Sequence, residues 1–176
     1  MIHDDRKSDY DLHQIIAKSL YFGLVSNILL PMFGLFICYW AHNNSYVPNR
    51  VGDFANGLYY VLGAMSLIQT GVAVWWRDRL LKQPMIRHAE TFETDISAAL
   101  LARSRPVFLL IAGISLYGYL YFFLTGRFNE GAFLVVFSFV VFQIVRPRHG
   151  MARKLVGRQL KMVERNEFCR AGAGDR

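Results

Sequence analysis

The side chains able to ligate a metal, carry a proton or attack a substrate are few in this chain and scattered. His88, Glu90 and Glu93 come closest to a ligand set, yet only His88 and Glu93 fall within reach of one helix face and no second histidine is near. Three ligands converging on one point are the minimum for a catalytic zinc, so a solvated polar face is expected there and no metal. Arg148 and His149, within Arg146-Pro147-Arg148-His149-Gly150, are the one pair that could act on a lipid at a membrane surface. All five histidines, His3, His13, His42, His88 and His149, lie outside the apolar runs, whereas a membrane haem needs axial histidines inside them. The chain has no CxxC, no HExxH, no GxSxG and no phosphate-binding glycine loop. The expectation is a non-catalytic protein without cofactor.

The elements that would position these residues are dictated by apolar length. Residues 106–125 and 131–146 form two apolar runs around Gly126-Arg127-Phe128-Asn129-Glu130, free of Asp, Glu, Lys, Arg and His as far as Val145. At about 1.5 Å per residue, about 20 helical residues match a hydrocarbon core of about 30 Å. The second run is short and would need a thinner bilayer or little tilt. An unpaired peptide group in lipid costs several kcal/mol, so two spans joined by so short a turn are read as an antiparallel helix pair. Residues 19–40 and 57–76 supply two further spans, each ending in tryptophan, the side chain enriched at headgroup level. A content of 53% hydrophobic residues beside a net charge of +7 fits apolar side chains in lipid and charges in the connections. No basic region followed by a short apolar core opens the chain, so no cleavable signal peptide is expected.

Lys and Arg set the orientation. Arg6, Lys7 and Lys18 precede the first span, six more lie in 77–105 and nine in 146–176, against Arg50 and Arg127 alone in the other two connections. Cytoplasmic connections carry the excess, so both termini and the 77–105 loop are expected inside. The expected fold is an all-α membrane protein of four transmembrane helices arranged as two hairpins, N-in and C-in. A transmembrane domain would occupy 1–150 and a basic amphipathic cytoplasmic tail 151–176. Cys38 and Cys169 would then lie on opposite sides, out of reach of a disulfide. Asn43-Asn44-Ser45 fits the glycosylation pattern but sits too near the bilayer for modification to be expected.

Ser8 followed by Asp11 reads as a helix start. In the first span, Ser19, Gly23, Asn27 and Pro31 recur every four residues and share one face, a helix-packing stripe on which Pro31 removes the donor for the Asn27 carbonyl. Gly63, Ser66, Thr70 and Ala73 form a second small-residue stripe, suggesting close packing of the first two spans. In the loop, Met85, Ala89, Phe92, Ile96 and Ala99 follow helical spacing, with Pro84 able to open that helix and Pro106 starting the third span afresh. From Met151 onward an apolar half-wheel, interrupted by Gln159, faces a cationic half bearing Arg153, Lys154, Arg158, Lys161 and Arg165. Such a helix lies in a headgroup layer, its cations meeting anionic lipid, or docks on a protein. Met85, Phe92, Ile96 and those five cations are therefore the expected partner or lipid-surface contacts.

These features point to a multi-pass inner-membrane (plasma-membrane) subunit, or an assembly or regulatory component, of a larger complex of the kind found in bacterial secretion or conjugation machinery. Other membrane subunits would be its partners, with homo-oligomerisation open and no role for nucleic acid. Two other classes stand beside this reading. One is a small homo-oligomeric transporter or channel lined by Asn27, Pro31, Gln69, Thr70 and Gln143; the other is a lipid-modifying enzyme using Arg148 and His149.

Overall fold

The computed structural model describes residues 11–44, 52–86 and 91–165. Ser8, His88, Glu90 and Cys169 fall outside them. Every regular element among the described residues is helical, and four helical segments are long and apolar enough to cross a membrane: Leu12–Asn43, Gly52–Leu80, Phe92–Thr125 and Phe128–Val145. The first is an α-helix, α1 (Leu12–Leu24), a π turn (Val25–Leu29) and a second α-helix, α2 (Leu30–Asn43). A 3₁₀ turn (Gly52–Phe54) leads into α3 (Ala55–Leu80), followed by α4 (Phe92–Thr125), α5 (Phe128–Val145) and α6 (His149–Glu164).

Local chemistry explains the boundaries. Asp11 caps α1, its Oδ1 accepting from the amides of His13 (3.0 Å) and Gln14 (3.2 Å), so the acid expected in the first turn is itself the cap. The π turn precedes Pro31, which has no N–H for the Asn27 carbonyl; there the Leu30 amide bonds five residues back, to Val25. Gly126 adopts a left-handed φ of 72°, and its amide reaches the Phe122 carbonyl at 2.7 Å, closing α4. Because α5 begins at Phe128, three residues earlier than the apolar run, its 18 residues span about 27 Å and little bilayer thinning is required.

The helix that carries the third span does not begin at Pro106. α4 runs through it without a break from Phe92. Proline deprives the Ala102 carbonyl of its partner and disfavours helix at Arg105, but the turns on either side are anchored. Ser104 bonds back to Leu100, and Val107 and Phe108 are buried.

The chain divides into two compact units, Gly23–Trp76 with Pro106–Arg146 and Met1–Phe22 with Arg77–Arg105 and Pro147–Arg176. The divisions at Trp76 and Arg105 fall where apolar sequence gives way to charge. In the first, apolar unit, α4 and α5 touch through backbone: a Cβ on Gly131 would lie 2.7 Å from the Gly118 carbonyl oxygen, and one on Gly118 would lie 2.7 Å from Val135. Ser138 donates to the Val135 carbonyl, so in the 2.6 Å Ser115–Ser138 contact Ser115 is the donor. The first span packs on both helices, with Gly23 against the Phe108–Phe142 ring pair and Gly34 under Tyr119.

The second, charged unit has its own core of Ile15, Ile16, Met85, Ile86, Phe92, Ile96, Leu100, Ala152, Leu155 and Val156. α6 is thus packed with α1 and the 77–105 segment. Met85, Phe92 and Ile96, the stripe expected as a partner or lipid-surface contact, are all buried in this core with residues of α1 and α6. On α6, Ala152, Leu155, Val156 and Gln159 are buried, while its cations face outward. Arg103 ties this unit together by donating to the carbonyls of Leu80 (2.9 Å), Gln83 (3.1 Å) and Pro84 (2.7 Å). A cation at the end of α3 satisfies orphan carbonyls and complements the helix dipole. Arg103→Ala is expected to cost about 1–2 kcal/mol, read as a lower midpoint when the full chain is unfolded by SDS in mild detergent.

Candidate functional site

Inside the spans, polar side chains are set by what a helix surface in lipid allows: each must find a partner, usually backbone. Gln69 on α3 donates across to the Leu110 carbonyl on α4 at 2.5 Å, in the space that Gly113 leaves open. Tyr119 donates to the Pro31 carbonyl at 2.7 Å. Ser66 and Thr70 bond back to their own helix, to the carbonyls of Leu62 (2.8 Å) and Ser66 (2.7 Å).

The first stripe lies together on a buried face. Ser19 and Asn27 are fully buried, Gly23 and Pro31 are buried, and Ser19 donates to Ser104 at 2.6 Å. Asn27 sits in the π turn, its Nδ2 donating to the Gly23 carbonyl (3.2 Å) and to Ser26 Oγ (2.8 Å). Its Oδ1 has no partner among the described residues. Gly23 meets Phe142 and Tyr39 meets Phe128, so the register brings Asn27 level with Ser138 and its neighbour Ser115. One acceptor is left over in an otherwise satisfied polar layer.

The second stripe divides. Ser66 and Ala73 are buried and Thr70 is half-buried, but a Cβ on Gly63 would meet nothing within 4 Å. Gly63 opens onto an apolar groove of about 470 Å³ with Ala64 and Leu67 on α3 and Phe133, Leu134 and Phe137 on α5, walled at one end by Tyr59 and Tyr60. Beneath it, Tyr121 packs with Leu62 and Leu134 and edge-on to Tyr59. The five cations of the α6 wheel, Arg153, Lys154, Arg158, Lys161 and Arg165, are all exposed. His149 opens α6 with its ring 6.0 Å from that of His13, both exposed, and Arg148 precedes it.

Sequence reasoning did not single out Arg103, Tyr119 or the meaning of Gln159. Gln159 is fully buried, its Oε1 accepting from the Met85 amide (2.9 Å) and its Nε2 donating to the Gln83 carbonyl (3.1 Å). An amide on an apolar half-wheel was the available signal, since a buried polar group implies a partner. No family model, curated protein or solved structure matches this chain.

Proposed function

We propose that the protein is a non-catalytic integral membrane subunit that docks a transmembrane helix of another subunit against α3 and α5, with both termini and the charged unit on the cytoplasmic side. The observation that carries this reading is the groove at Gly63. Exposed leucine or valine on a span is what lipid contacts, but bare backbone flanked by Tyr60, Phe133 and Phe137 is a surface on which another helix can approach closely. Helix association in lipid relies on such close packing because the hydrophobic effect does not distinguish protein from acyl chain. The spans' serines, Gln69 and Tyr119 serve the same mechanical role within the chain, joining helix to helix or to their own backbone. The orientation rests on the distribution of Lys and Arg.

The test is a photocrosslinking residue at Tyr60 or Phe133 in the full chain within its native membrane. A discrete adduct from both positions is expected, reduced at least about tenfold by Gly63→Leu, a loss of about 1.4 kcal/mol in the docked state. A smear of lipid adducts, or a discrete adduct that Gly63→Leu leaves unchanged, would overturn the reading. An adduct of twice the chain's own mass would replace it with homo-oligomerisation.

A transporter reading draws on one observation, the unpartnered Asn27 Oδ1 in the π turn. Of the residues expected along such a path, Gln69 Nε2, Thr70 Oγ1 and the Pro31 carbonyl already have hydrogen-bond partners. Solute flux into liposomes holding only this protein, abolished by Asn27→Leu, would favour it.

A further inference from the structure

The buried side of α6 belongs to the chain's own core, and its cations are on the exposed side. Those cations are not evenly spread. Lys154 and Arg158 line one side of a groove of about 370 Å³ whose other side is the cytoplasmic end of α3, with Arg77, Asp78 and Lys82. Its apolar lining is Leu81, Met151 and Leu155. Arg77 pairs with Asp78 at 2.9 Å, while Lys82, Lys154 and Arg158 have no acidic partner among the described residues. Three cations without an acidic partner, two on α6 and one in the turn just past α3, therefore line one cleft, a source of field that a lone basic helix face does not focus.

We propose that this groove binds the phosphate headgroup of an anionic phospholipid, with preference for one carrying two phosphates. Phosphate oxygens accept from lysine and, with two parallel bonds, from arginine. The apolar lining suits the upper methylenes of a lipid's acyl chains, which inorganic phosphate lacks. The depth agrees as well: Trp75 and Trp76, residues of the headgroup level, immediately precede Arg77 on the same helix. Basic pockets at the cytoplasmic ends of spans are where such lipids are held. The site links α3 to α6 through a ligand and is independent of the helix-docking groove at Gly63.

The experiment is native mass spectrometry of the full chain released from micelles containing equal amounts of diphosphatidylglycerol, phosphatidylglycerol and phosphatidylcholine. Retention in that order is expected, with phosphatidylcholine absent. The double variant Lys154→Glu/Arg158→Glu is expected to lower anionic-lipid retention at least about tenfold, and Lys82→Glu on the opposite wall to lower it several-fold. The control Arg153→Glu/Arg165→Glu makes the same charge change on α6 outside the groove and is expected to leave retention near the original level. All five substituted positions are exposed, so helicity and the unfolding midpoint report whether folding is intact. Equal losses in the groove and control variants, or none in either, would overturn the site. Displacement of lipid by millimolar inorganic phosphate, or by an acidic peptide, would overturn the choice of ligand.

Discussion

Leucine at Gly118 is expected to drive α4 and α5 apart and to lower the stability of the full chain by about 3 kcal/mol or more, at or beyond the upper end for overpacking. The reason is what stands opposite. Most overpacked sites meet the end of a flexible side chain that can swing away, but here the neighbours are the Gly131 backbone and the Val135 side chain that its helix fixes. Moving them means moving α5 as a body, with loss of the 2.6 Å Ser115–Ser138 bond and of the Phe108–Phe142 edge contact along the same seam. In lipid the seam has no hydrophobic driving force to compensate for poorer fit. SDS titration in mild detergent, followed by helicity, measures this as a midpoint drop. Gly118→Ala is expected to fall between the two. Gly63→Leu, whose added atoms meet open space, is expected to leave the midpoint near the original value. Equal effects at Gly118 and Gly63 would contradict the packing described.

The second large effect is expected in the charged unit. Gln159→Leu orphans the buried Met85 amide and takes one of two donors from the Gln83 carbonyl, which keeps Arg103, for a loss of about 1–3 kcal/mol. Replacement by glutamate keeps the acceptor but removes the donor and places a charge where there is no water, so it is expected to do no better. Because α6 and the segment after α3 are joined through this amide, the loss should be local. Limited proteolysis of the full chain in detergent is expected to cut within 81–91 and in α6 at least about tenfold faster than before, with the spans still resistant. Unchanged cleavage in both variants would contradict the role given to Gln159.

Spans are legible in a sequence because lipid is an unforgiving solvent: each run long enough to cross and empty of charge had little alternative to a membrane helix. The four apolar helices follow from that. What covers an amphipathic stripe is not legible in the same way. The spacing of Met85, Phe92 and Ile96 identifies a face, but a partner protein, a bilayer and the chain's own α1 all present the same apolar surface to it. The same limit applied to the apolar side of α6. Proline at 106 looked like a beginning because its local cost to a helix is plain, whereas the tertiary anchors that outweigh it, Ser104, Val107 and Phe108, depend on contacts far apart in sequence. Gln159 and Arg103 were visible only as an intruder and as a topological charge; their partners are backbone atoms, which carry no sequence signature. The Gly63 groove could be seen as small residues but not as unfilled space.

The threading of the chain through a bilayer is tested most directly by cysteine accessibility. In a Cys38→Ser/Cys169→Ser background, Asn129→Cys at the exposed start of α5 is expected to react with a membrane-impermeant maleimide added to sealed cells, and Lys161→Cys on α6 only after permeabilisation. Labelling of Lys161→Cys in sealed cells, or protection of Asn129→Cys until the membrane is opened, would contradict the orientation and, with it, the cytoplasmic placement of the charged unit.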